Sequence, residues 1–424
     1  MRDLLVAAIV FGILPMIFKY PHYGVLLWSW IGYMNPHMLG WGFAANFPFA
    51  LVVGAVTIAA SIISRKKLRF FWTPTMGWLF LFSVWMLITT FFSLQSEASW
   101  VQFEKVIKIQ LIIYITLWVM HDREKIHSLV WVIVLSFAYY GIKGGIFTLL
   151  SGGGSHVLGP PGGFWQGNTE IGLALVMILP LVWYLYLNTA KLWIRNGLLI
   201  SMFLLPIAVL GTQSRCAILA IFPISLFLWM KSRKKLVLFI TMLLFIPILL
   251  AFMPQTWHDR MDTMKDHEAD ASAMGRIQAW SFAYDMALER PLVGGGFEAF
   301  TAENYERFSP GLVEYGTGIY HDVHSIYFEV LGEHGFVGLA IYLILGFSAW
   351  RIANKIIKLC KSSDQNKWAS DLASMIQVSF IGYAVGGAFL GLAYVDLIYH
   401  LLAILILVLR IVESENKPKY YKAP

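Results

Sequence analysis

The residues of this chain with chemistry to offer are few, and they cluster at the edges of apolar runs. Arg215 closes the segment Gly211-Thr-Gln-Ser-Arg215 at the end of one such run, Arg276 lies in Gly275-Arg-Ile-Gln-Ala-Trp280, and Lys143 is set inside the apolar stretch around Gly141-Ile-Lys-Gly-Gly145. His324 follows His321 and Asp322 and immediately precedes the largely apolar run Ile326–Leu331. A cation at membrane depth is costly without an anionic partner, and no carboxylate lies close in sequence to Lys143 or Arg215. A lipid-linked phosphate or diphosphate would supply that charge, and a guanidinium suits it through paired hydrogen bonds. Plainer readings stand beside this one. Lys143 and Arg215 can snorkel to lipid headgroups, and Arg276 can be a solvated residue at a helix start or half of a surface ion pair.

An imidazole at the membrane–water boundary, as expected for His324, can take a proton near neutral pH; it can also do no more than cap a helix. His321 and His334 are weaker candidates. The His321/Asp322/His324 cluster lacks a third ligand at zinc spacing, so neither a metal nor a cofactor is called for. The glycine-rich loop from Ser151 to Gly163 lacks the Gly-Lys-Ser/Thr ending of a nucleotide-binding loop. It reads either as a flexible link or, with Asn168 and Glu170, as part of a donor-binding surface, the link being favoured. Trp280 and Tyr320 could stack on sugar rings and His321 could touch an acceptor, although Trp and Tyr gather at membrane interfaces in any case.

The frame that must hold these residues is legible from composition. Of 424 residues 58% are hydrophobic and only 13% charged, about half the charge of an ordinary soluble domain, and the apolar runs are too long and continuous for the alternating strands of a membrane barrel. The expected fold is an all-α polytopic membrane protein with about twelve transmembrane helices and one long extracytoplasmic insert containing helices. Spans are expected near 4–18, 46–63, 76–94, 106–120, 127–150, 170–188, 197–213, 215–231, 236–253, 335–356, 372–390 and 395–412. The first, which lacks a small-residue cleavage site, is read as retained. Tyr23–Met34 is too short for a roughly 30 Å core. Three parts result: transmembrane helices one to nine over 1–253, the insert over 254–323, and an interfacial helix with three further spans over 324–424.

A continuous helix from His324 to Ile356 would be about 50 Å long, so a break is expected in Gly332-Glu-His-Gly335-Phe-Val-Gly338. Within the insert, a helix is expected over Arg276–Glu289 with Ile277, Trp280, Ala283, Tyr284 and Ala287 on one face, ended by Arg290-Pro-Leu-Val-Gly-Gly-Gly296. The formal charge of +7 is asymmetric: residues 254–323 hold five Lys/Arg against twelve Asp/Glu, a net of −7. Nucleic-acid binding is a poor explanation of the remaining positive charge, and cytoplasmic anchoring is a better one. Basic clusters such as Ser64–Arg69 and Lys231–Lys235 then lie on the cytoplasmic face, and the insert and candidate residues face the periplasm. Cys216 and Cys360 fall at opposite faces, beyond reach of a disulfide. Without nucleoside triphosphates outside, any transfer there needs an activated, membrane-delivered donor.

These motifs, in this order, resemble the O-antigen ligase and O-antigen polymerase superfamily: Ser-Arg215 at a span end, Gly275–Trp280, Pro291-Leu-Val-Gly294 with Gly296, His324-Ser325, then Gly332 and Gly335-Phe-Val-Gly338. Many relatives have His-Asn where this chain has His324-Ser325. The opening Met1-Arg-Asp-Leu4, with Tyr33-Met-Asn-Pro-His37 and Trp41-Gly-Phe43, resembles an exosortase-associated ligase branch. The resemblance implies a multi-pass protein of the bacterial inner membrane, acting at the periplasmic face as a metal-independent, inverting glycosyltransferase. Its donor would be an undecaprenyl-diphosphate-linked glycan and its acceptor a sugar hydroxyl of lipid A-core. By position, Arg215 and Arg276 would bind the diphosphate, with Lys143 a further candidate, and His324 would be the general base. Rival readings are an O-antigen polymerase and a protein O-oligosaccharyltransferase with the same donor, and, from a different class, a transporter of lipid-linked glycans. A transporter should show two-fold hydropathy symmetry and midplane charges, and neither is visible.

Overall fold

The computed structural model describes residues 1–63, 69, 71–231, 235–236, 240, 243, 247, 251, 253–255, 271–311, 320–361 and 365–416. Among these the fold is helical, without strands. The helices are α1 (Arg2–Lys19), α2 (His22–Met34), α3 (Phe49–Ile63), α4 (Pro74–Phe91), α5 (Ser96–Val119), α6 (Arg123–Leu150), α7 (Asn168–Asn188), α8 (Leu192–Gly211), α9 (Arg215–Lys231), α10 (Ala271–Glu289), α11 (Ala302–Phe308), α12 (Ile326–Leu359), α13 (Lys367–Gly386) and α14 (Asp396–Asn416). A 3₁₀ turn, Gly387–Phe389, follows α13.

Among the described residues, seven helices are long and apolar enough to cross a bilayer: α4, α6, α7, α8, α12, α13 with its 3₁₀ extension, and α14. The other expected spans fare differently. α3 has 15 residues and α9 has 17, α1 carries Arg2, Asp3 and Lys19 at its ends, and α5 bears Glu97, Glu104, Lys105 and Lys108 between its start and its middle. Most of the expected span at 236–253 lies outside the described residues. α2, with 13 residues, reaches only about 20 Å at 1.5 Å per residue, in keeping with its reading as a segment too short to cross.

The centre of the bundle is set by two helices apolar on every side. Ile171–Ile178 of α7 and Asp396–Val408 of α14 are buried without a gap, as expected of helices that other helices surround. α7 packs on α6, α8, α9 and α13, and α12 packs on α4, α10, α13 and α14. Close crossings come from small residues: a Cβ at Gly145 of α6 would fall 2.4 Å from the carbonyl oxygen of Leu204 in α8, and one at Gly382 of α13 would meet the Ile224 side chain of α9. One end of the bundle gathers the C-termini of α6, α8 and α13 with the N-termini of α7, α9 and α14.

The expected break in α12 falls at Gly335, whose φ of 68° and ψ of −172° lie outside any helix. The glycine-rich segment after α10 docks into it. Gly295 and Gly296 N–H groups donate to the carbonyls of Gly332 and Glu333 (2.8 Å each), and Phe336 N–H donates to Pro291 O (2.9 Å). Gly294 (φ 60°) could carry no side chain there, because its Cβ would sit 2.4 Å from Gly332 O. The two glycine motifs are thus halves of one joint.

α10 departs from its expected form in two ways. It starts at Ala271, so Arg276 lies in its second turn rather than at its start, and its buried face is Ala279, Phe282, Ala283, Met286 and Ala287, while Ile277 and Tyr284 are exposed. The face is decided by what the helix touches. Phe282 stacks on Tyr305 of α11 (3.8 Å between centroids), and Ala283 and Met286 approach Gly332 of α12.

Candidate functional site

Arg215 opens α9 after a tightly held turn. Asn168 Nδ2 donates to Thr212 O (2.8 Å), Gln213 Nε2 to Gly153 O (3.1 Å), and Val157 N–H to Gly211 O (2.9 Å). The Ser151–Gly163 loop is therefore a brace rather than the flexible link its composition suggests, fastened also by Asn35 Nδ2 to Pro161 O. Its glycines serve close approach: a Cβ at Gly159 would fall 1.8 Å from Trp165 O. Asn168 acts in this brace, shaping the turn that ends in Arg215.

Cys216, next in α9, marks where the parts meet. Its thiol donates to Phe389 O (3.5 Å). Glu170 lies in the first turn of α7, close to Gly167. The ring of Phe389 contacts Trp280, which lies flat on Phe328 (5.2 Å, 7°) and donates Nε1–H to Val323 O (2.9 Å). Trp280, with one face covered by Phe328, is a wedge that ties α10 to the backbone next to His324. Arg276 Nε is enclosed and has no hydrogen-bond partner among the described residues.

His324 is exposed, in the left-handed region (φ 40°), between buried Val323 and buried Ser325, which is the N-cap of α12. Such a backbone is sparsely populated by non-glycine residues and turns the imidazole out of the line of the helix it precedes. The segment before it is fixed. Tyr305 OH donates to His321 O (2.9 Å), and the His321 ring lies against Gly275, where a Cβ would come within 2.7 Å of Nε2. Burial, with the nearby Asp322 charge, pushes the Tyr305 phenol well up, so it keeps its proton at neutral pH. Tyr320 OH donates to Glu306 (3.3 Å), and its ring lies on Tyr305 at 5.6 Å, over α11.

The structure therefore brings Arg215, Arg276, His321, His324 and Trp280 to one end of the bundle, with Asn168 behind them. Lys143 does not join by any described contact. It is exposed on α6, whose Gly141, Gly144 and Gly145 face α8.

Two further residues were not singled out from the sequence. Glu329 and Glu333, one turn apart in the first part of α12, are turned inward: Glu329 Oε2 accepts from Ala393 N–H (2.9 Å), and Glu333 accepts from Glu298 N–H (2.9 Å) and Tyr394 OH (2.6 Å). They staple the glycine joint and the chain before α14 to the helix that follows His324. Their signal was present as two carboxylates four apart in an apolar run. His334 is buried in the same joint, its Nδ1 2.7 Å from Thr89 Oγ1. Between α12, α13 and α14 runs an apolar cleft of about 220 Å³ that starts at Ile326 and Tyr327 and is lined further on by Phe380, Leu343 and Phe347.

The fold and this cluster define a multi-pass helical membrane protein with two guanidinium groups and an exposed imidazole at one end of its bundle. Residues 199–343 match the family model of O-antigen ligase, which takes in α8 to the middle of α12 and with it Arg215, Arg276, His324 and both halves of the glycine joint. Residues 1–190 match a family of unknown function, DUF5935. The chain thus carries the domain of the O-antigen ligase superfamily, a group of glycosyltransferase-like ligases. No curated protein matches it.

Proposed function

We propose that this protein is a ligase that transfers a glycan from undecaprenyl diphosphate to a hydroxyl of lipid A-core at the periplasmic face of the inner membrane. The observation that carries the reading is a chain of contacts at one end of the bundle: Cys216, next to Arg215, bonds Phe389, whose ring meets Trp280 of α10, and Trp280 in turn bonds the backbone beside the exposed His324, while Arg276 Nε on the same helix is enclosed without a hydrogen-bond partner among the described residues. Two guanidinium groups at the edge of a membrane-embedded bundle suit a diphosphate whose hydrocarbon tail stays in lipid. The cleft that starts two residues past His324 supplies apolar surface for such a tail.

In the reaction, His324 takes the proton of the acceptor hydroxyl as its oxygen attacks the anomeric carbon. The bond from that carbon to the diphosphate oxygen breaks on the opposite face, giving inversion, and the charge arriving on the diphosphate is met by Arg215 and Arg276. Trp280, Asn168, Glu329 and Glu333 hold these groups in register. The resemblance of the first 43 residues to an exosortase-associated branch favours a ligase over a polymerase.

The test is transfer by purified protein from a defined undecaprenyl-diphosphate glycan to lipid A-core, to a lipid-linked repeat and to a peptide. His324→Ala is expected to remain folded and lose transfer, general-base assistance contributing roughly 10²–10⁴-fold. Wild-type rates in His324→Ala would remove the base from the mechanism, and preference for another acceptor would remove the ligase reading.

A further inference from the structure

The outward side of α10 is apolar. Its exposed positions are Met274, Ile277, Ser281, Tyr284 and Leu288, spaced three or four apart along one stripe, and the first charge on that stripe is Glu289 at its end. Ile277, Tyr284 and Leu288 are 50%, 47% and 55% exposed, whereas the opposite side is packed on α11 and α12. A helix lying between a protein and water is apolar on one side only. α10 is apolar on both, with Arg276, Gln278 and Asp285 confined to its half-buried flanks.

The neighbouring helix says what covers the outward side. α10 runs beside the first part of α12 in the same direction: Trp280 lies on Phe328, Ala283 and Met286 approach Gly332, and Tyr284 meets Phe336 edge-on at 6.4 Å. Past the break, the exposed residues of α12 up to Phe347 are Phe336, Ala340, Leu343, Gly346 and Phe347, an uncharged stripe on a helix long and apolar enough to cross a membrane. The α10 stripe runs into this one through the Tyr284–Phe336 contact.

We propose that α10 is an interfacial helix whose outer stripe is seated among lipid acyl chains of the leaflet at the site end of the bundle. The segment read from sequence as a water-facing insert then has one wall in the membrane. Arg276, next to Ile277, is held at the depth of the headgroup phosphates. The inference does not depend on which reaction the protein catalyses.

The experiment is nitroxide scanning of the full chain in phosphatidylethanolamine/phosphatidylglycerol vesicles. Ile277→Cys, Tyr284→Cys and Leu288→Cys are compared with Leu343→Cys as the lipid reference and Glu303→Cys, exposed on α11, as the water reference. Cys216 and Cys360 are buried and stay in place, with the unsubstituted chain as the labelling blank. Collisions with oxygen are expected to exceed those with a water-soluble nickel chelate at all three α10 sites, as at Leu343→Cys, with the order reversed at Glu303→Cys. Nickel-dominated collisions at the three sites would overturn the proposal. So would dipolar broadening that disappears on dilution with unlabelled protein, which would show a second copy covering the stripe.

Discussion

Replacing Gly335 by alanine tests the glycine joint directly. At φ 68° and ψ −172° the backbone is in a region reserved almost entirely to glycine, and forcing another residue there costs on the order of 1–3 kcal/mol. An added Cβ would also lie 2.5 Å from Leu292 O and 2.6 Å from Pro291 O. The loop must then move and weaken the Phe336 N–H to Pro291 O bond, worth about 1 kcal/mol. The total, roughly 2–4 kcal/mol, falls on the contact that fixes α10 against α12 and hence Arg276 against His324. Gly346 is the control, since it sits in an ordinary turn of α12 with no heavy atom within 4 Å of a built Cβ. There alanine is expected to be neutral or to stabilise by about 0.5–1 kcal/mol. The assay is thermal unfolding of both variants in the same detergent, followed by glycan transfer at a temperature where each is folded. Gly335→Ala should melt well below wild type and lose transfer, with Gly346→Ala unchanged in both. If the two variants melt together, the joint does not hold α10 to α12.

Trp280→Phe keeps the stack on Phe328 but removes the hydrogen bond to Val323 O. Its net worth of ~0.5–1.5 kcal/mol translates to roughly a 3–10-fold fall in transfer, expected in kcat because Val323 carries His324. An unchanged kcat would show that this bond does not set the imidazole. At the opposite end of the bundle, Asp122 caps α6 through Lys125 N–H (3.0 Å) and pairs with Lys125 Nζ at 2.5 Å. Partial burial pushes its carboxyl up, but the hydrogen bonds from the Lys125 side chain and backbone outweigh this and hold it below the ordinary value of 3.8. The cap's contribution, about 1 kcal/mol, is present above that value and lost as pH falls through the lower folded one. Asp122→Ala should therefore lower the unfolding temperature at pH 7 and converge on wild type in strong acid. A gap that persists there would mean that the carboxylate charge is not what stabilises the helix.

Seven of the twelve expected spans were legible because the hydrocarbon core imposes a length and a composition on each, and among the described residues the seven helices long and apolar enough to cross fall where apolar runs had placed them. The break in α12 was equally legible, since only a glycine could accept the backbone of Gly335. The outward face of α10 was not. Periodicity put Ile277 and Tyr284 on the same face as Ala283 and Ala287, because a helix apolar on both sides offers no contrast from which a pattern can be read. Nor could composition tell a brace from a link in Ser151–Gly163, where the bonds to Gly211 and Gln213 join residues 54 to 60 positions apart.

By itself the sequence determined that this is a helical membrane protein whose rare cations and one histidine stand at the ends of apolar runs, because burial in lipid constrains residue type position by position. Only the tertiary structure decided their company: Cys216, next to Arg215, against Phe389, Trp280 against the backbone before His324, and Glu333 fastening one glycine motif to the other. Those pairings are set by helices crossing at small residues, by a break at one glycine, and by hydrogen bonds between segments far apart in the chain, none of which leaves a local trace in composition or period.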